Sequence, residues 1–214
     1  MPTITSSSRS WISPRWTRSL LFGAVAIAST ALLAFLLIAG QIRPAITVVV
    51  ALTLVVLAAI NIRLAVAATL VYLVVIGDVR RLLIPVAGWA GMDPLLLIGP
   101  AFVVVLTAYI FATSRARFDT SLAPWVLALL VIMAVQMINP RQGGLLVGIA
   151  GALFFIVPML WYWIGQVYAT RQFIETVLFR IVIPLSFLAV TMGLYQVFFG
   201  YLPYQQMWFD CCAY

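Results

Sequence analysis

Residues 94–112 read PLLLIGPAFVVVLTAYIFA, an apolar run without a single charge, introduced by Asp93. An α-helix needs roughly 20 predominantly apolar residues to cross a hydrocarbon layer about 30 Å thick. Inside that layer every backbone N–H and C=O must pair within its own segment or within a closed barrel. Barrel strands would alternate polar and apolar residues, and this run does not alternate. It therefore predicts a transmembrane helix, with Asp93 as a capping acid and Pro94 at the first helical position.

Similar runs lie on both sides, at 20–39, 44–60, 64–77, 121–138, 143–169 and 180–200. The expected fold is all-α, a polytopic transmembrane helical bundle of about seven spans. Only Asn61, Ile62 and Arg63 separate the second run from the third. Together these two are too long for one span and tight for two. Between the last two runs, Phe173, Ile174, Val177 and Leu178 form an apolar face opposite Arg171, Gln172 and Glu175. That pattern predicts a short helix lying in the membrane interface.

Composition agrees with the runs. The 214 residues are 65% hydrophobic and 8% charged, with a mean hydropathy of +1.18. A soluble domain carries about a quarter charged residues. The net charge of +7 comes from twelve arginines against five acids. These arginines fall between apolar runs, so they mark topology near anionic lipid and do not point to nucleic acid. With the N-terminus cytoplasmic, Arg9, Arg15, Arg18, Arg63, Arg115, Arg117, Arg171 and Arg180 lie inside. Arg43, Arg80, Arg81 and Arg141 then lie outside. The positive-inside rule favours this orientation, in the inner (plasma) membrane of a cell. The first run is longer than a signal-peptide core and reads as a signal anchor. The layout is a cytoplasmic tail over 1–18, a membrane domain over 19–200, and over 201–214 the start of an extracytoplasmic loop. The chain stops soon after that loop begins, as a truncated or frameshifted reading frame would.

Chemistry-bearing residues are few. There is no histidine, no cluster of carboxylates, no phosphate-binding glycine loop and no Cys/His spacing for a metal, so neither metal nor cofactor is expected. Asp78-Val79-Arg80-Arg81 closes the third run. It is read either as local charge pairing or as part of an outside basic pocket. Gln136 and Asn139 precede Pro140-Arg141-Gln142-Gly143-Gly144, read as a capped helix end or as a turn presenting Arg141 to an anionic ligand. Gly144, Gly148 and Gly151 form a smooth stripe for close approach of another helix. Pro158 and Pro184 are expected to kink their helices. Trp161, Tyr162 and Trp163 read as interface anchors, and Cys211 and Cys212 as a plain pair of thiols.

Over roughly residues 60–210 the polar punctuation resembles the N-terminal part of the O-antigen ligase and polysaccharide polymerase superfamily. The resemblance rests on Asp78 to Arg81, Met92-Asp93-Pro94-Leu95-Leu96, Gln136 to Gly144 with Gly148, Pro158 and Trp161, and Gly193-Leu194-Tyr195-Gln196 with Phe199-Gly200. It implies a metal-independent glycosyltransferase using undecaprenyl-pyrophosphate-linked glycans at the outer face of the membrane. Family members carry their important arginines, and in ligases a histidine, mostly in large extracytoplasmic loops. No catalytic residue is carried over to this chain. Arg80, Arg81 and Arg141 are the expected substrate contacts, from their side and charge. The alternative is a non-enzymatic membrane scaffold or partner subunit, associating through Gly144, Gly148 and Gly151.

Overall fold

A computed structural model describes residues 15–91 and 93–212. Expectations for residues 1–14 and 213–214, and for the side chain of Trp16, lie outside the described residues. Among the described residues the chain is helical, without strands. Every apolar run becomes a helix: α1 (Arg15–Ile38), α2 (Ile42–Ile60), α3 (Ile62–Leu82), α5 (Leu95–Ala112), α6 (Ala123–Met137), α7 (Leu145–Tyr168) and α9 (Ile183–Phe199). Three short helices complete the set: α4 (Ile84–Ala87), α8 (Arg171–Val177) and α10 (Pro203–Cys212). The protein is an all-α integral membrane bundle.

Residues 44–77 fall in two antiparallel helices. Helix α3 starts well before its apolar run, at Ile62, and continues through Asp78, Arg80 and Arg81 to Leu82. Charged residues at the ends of a helix keep it helical while their heads leave the hydrocarbon, so each helix gains the length that its apolar stretch lacks. Both α2 and α3 are then long enough to cross. A single extended residue, Asn61 (φ −155°, ψ 107°), reverses the chain between them. Its side-chain oxygen accepts the Arg63 N–H at 3.0 Å.

Helix α5 is the axis of the bundle. It is apolar all round, as a helix surrounded by others must be, and 39% of it is buried, against 17–22% for α2, α3 and α7. One core cluster joins Val66 of α3 to Val103, Leu106 and Ile110 of α5 and to Val157, Ile164 and Tyr168 of α7. A second joins Leu54, Ile76, Leu95 and Ile98 of α2, α3 and α5. Gly99 permits the α3–α5 approach, because a Cβ there would lie 2.5 Å from Leu73 Cδ2. Successive long helices alternate in direction. The starts of α2 and α5 meet the end of α3 at what we term the Asp93 end. Residues Asn61, Arg117, Gln166 and Thr170 lie at the opposite, Asn61 end.

Several local expectations change. The amphipathic segment 171–177 is not a separate interfacial helix. It runs through a π-helical stretch, Leu178–Val182, into α9, giving one continuous segment from Arg171 to Phe199. The wider π turn precedes Pro184, whose missing N–H and bulky ring cannot continue an ordinary α ladder. Helix α7 continues through Pro158 to Tyr168. Residues 203–212 form α10, where a loop was expected. Trp163 is fully buried and meets Phe111 edge-on at 5.2 Å, so it is a core residue and not an interface anchor. The sulfurs of Cys211 and Cys212 are joined as a vicinal disulfide in place of the expected thiols.

The glycine stripe divides into three roles. Gly148 packs against α6 so tightly that a Cβ would lie 2.1 Å from the Met137 carbonyl oxygen. Gly144 caps α7 with a φ of 126°, and Gly151 faces open space.

Candidate functional site

The Asp93 end holds the densest group of charges among the described residues. Gly40 turns the chain after α1 in the left-handed region (φ 68°), and α2 starts two residues later. Arg43 therefore sits in the first turn of α2, where the helix dipole disfavours a cation. It is nevertheless buried, so it requires a carboxylate. Asp93 supplies one from 50 residues away: Arg43 Nη1 donates to Asp93 Oδ2. Arg80, in the last turn of α3, donates through Nε to the same oxygen at 3.0 Å. The other oxygen, Oδ1, accepts the Leu95 N–H at 3.1 Å and so caps the start of α5. The capping acid expected from the sequence is present, one residue earlier relative to the helix than expected.

Two guanidinium groups share one carboxylate here, which leaves a formal excess of +1 in the triad. Backbone carbonyls solvate the remaining donors. Arg43 reaches the Gly88 carbonyl through Nε at 3.0 Å and through Nη2, and the Arg80 carbonyl at 3.3 Å. Arg80 Nη2 reaches the Ala90 carbonyl at 3.3 Å. The loop between α4 and α5 is thereby pinned over the ends of three spans.

An aromatic layer covers the triad. Arg80 lies 4.8 Å from the Trp89 ring centroid, and Arg81 lies 4.8 Å from that of Trp208 on α10. The two indoles approach at 6.3 Å. Each contact is a cation–π arrangement. Arg81 also pairs with Asp78 at 3.4 Å, and its side chain remains 36% exposed. Tyr204 of α10 is pushed above its ordinary pKa by burial first and then by the charge of Asp78. Buried Gln205 ties the start of α10 together, accepting the Leu202 N–H at 3.1 Å.

The expected substrate contacts have different fates. Arg80 is mostly engaged within the triad, whereas Arg81 is half-exposed beside it. Arg141 is exposed on the α6–α7 turn, at the same end of the bundle but outside the cluster. That turn is well capped: Asn139 accepts the Arg141 N–H at 3.1 Å and donates to Gln136 at 3.0 Å. Sequence reasoning missed the partnership of Arg43 with Asp93. Both residues were assigned to the same side of the membrane, which is the one signal that could have paired them.

The triad carries its excess positive charge inside the protein, and the charge of Arg81 beside it is offset by Asp78. No group of three metal-ligating side chains occurs among the described residues. No protein-family model, curated protein or solved structure matches the chain.

Proposed function

We propose that this integral membrane protein is the membrane-embedded part of a glycosyltransferase of the O-antigen ligase and polysaccharide polymerase type. Its substrates are glycans linked to undecaprenyl diphosphate. The observation that carries the reading is Arg81, a half-exposed guanidinium beside a triad with excess positive charge and beneath Trp208. Arginine's planar fork suits diphosphate oxygens. Neutralising the diphosphate favours its departure as a sugar hydroxyl attacks. In this reading the Asn61 end, with Arg63, Arg115, Arg117 and Arg171, is cytoplasmic, and the Asp93 end faces outward.

The test is retention of an undecaprenyl-diphosphate oligosaccharide by the chain in lipid nanodiscs. Arg81→Ala and Arg141→Ala should each weaken retention about tenfold, the loss of one charge-assisted hydrogen bond. Equal retention of uncharged undecaprenol would overturn the reading. A second reading, a non-enzymatic scaffold, is favoured by α9, no residue of which is buried. Cross-linking of Phe187 or Leu194 to one fixed partner, without glycan retention, would select it.

A further inference from the structure

A crevice separates α3 from the last helical segment at the Asn61 end, far from the arginine cluster. Its mouth is a cavity of about 280 Å³ with Asn61, Arg63, Thr170 and Gln172 at its polar rim. Toward the bilayer interior the crevice becomes apolar. A cavity of about 220 Å³, lined by Leu70, Val74, Ile181, Val182 and Leu185, shares Ile181 with the mouth. Another, of about 260 Å³, lies on the α7 side against Trp161 and Ile164. Phe173 and Val177 line both this cavity and the mouth, and so stand between them. From Asn61 to Val74 the crevice follows α3 for about 20 Å at helical rise. That is comparable to one leaflet of a bilayer whose core measures roughly 30 Å.

The polar rim carries one charged group, Arg63. The Asn61 and Thr170 side-chain oxygens already cap their own helices, accepting from Arg63 N and Phe173 N. Arg63 is exposed, and no carboxylate of the described residues lies within ion-pair distance of it. Arg171, at the same end, is paired with Glu175 at 2.8 Å.

We infer that this crevice is a binding site for an anionic glycerophospholipid. The phosphate sits on Arg63, one acyl chain follows Ile181 into the deeper arm, and the other passes Phe173 and Val177 into the α7-side arm, with Leu70 and Val182 lining both arms. Charge complementarity at the rim and apolar walls within the leaflet together select such a lipid over a soluble anion. The lipid would fill the gap beside α8 and α9, whose apolar surface the protein itself leaves uncovered. This inference is independent of the glycan reading.

The test is native mass spectrometry of the purified full chain, titrated with phosphatidylglycerol or phosphatidylcholine. Phosphatidylglycerol should be retained about fivefold better, the increment expected for one interfacial arginine. Arg63→Gln should abolish that preference, and Arg171→Gln should leave it intact. Ser186→Trp, which fills the deeper cavity, should reduce binding of both lipids. Equal retention of the two lipids by the unmodified chain would overturn the proposal. So would an Arg171→Gln loss matching that of Arg63→Gln, which would indicate unspecific surface charge. Displacement of the lipid by inorganic phosphate alone would reduce the site to an anion contact and would equally sink it.

Discussion

At the scale of single residues, Asp93 has the largest structural consequence. It holds two guanidinium groups of opposite origin and caps α5 with its second oxygen. Removing its charge leaves Arg43 and Arg80 facing each other without a counterion, in a place with little water. Breaking a buried pair by deleting one partner costs about 3–5 kcal/mol. Asp93→Asn should therefore lower the thermal unfolding midpoint of the detergent-solubilised protein sharply, whereas Asp78→Asn, on the exposed Arg81 pair, should barely move it. Equal effects would refute a load concentrated on Asp93. The local pairs, Asp78 with Arg81 and Arg171 with Glu175, could be read from spacing alone. The Arg43–Asp93 pair could not, because it depends on α2 and α5 becoming neighbours, and no periodicity within either segment encodes that.

At the scale of elements, the apolar runs fixed helix identity because lipid leaves the backbone no other solution. Their ends were less legible. Charged residues extend α3 at both ends, and the π stretch joins α8 to α9 where an amphipathic pattern indicated a separate helix. The mixed composition of 203–212 gave no helical signal that a loop would lack. Helix packing offers a sharper test. Gly148 and Gly151 look alike in sequence, yet only Gly148 meets another backbone. Gly148→Ala should push α6 from α7 and destabilise the fold by about 1–3 kcal/mol, the usual range for overpacking. Gly151→Ala should be neutral or slightly stabilising, since alanine is the better helix former. Thermal unfolding of the two variants side by side distinguishes them.

At the scale of the whole molecule, the alternation of spans divides the polar residues into two groups. In a background with Cys211 and Cys212 replaced by serine, cysteines at Arg63 and Thr113 should react with an impermeant maleimide from one side of the membrane. Cysteines at Gly91 and Arg141 should react only from the other. A protected cysteine at Arg63 would mean that residues 44–77 cross once and would reverse every later element. The division of the polar residues between two ends was readable from the alternation of apolar runs, but the peripheral position of the last span was not, since its hydropathy matches that of its buried neighbours. The long reach between Arg43 and Asp93 also sets a schedule for synthesis. At ~5–20 residues per second, the 50 residues between them take roughly 3–10 s to emerge. Throughout that interval, while α2 and α3 are themselves being made, Arg43 must wait without its counterion. Membrane insertion machinery, lipid phosphate or water has to shelter that charge until the ribosome delivers the carboxylate.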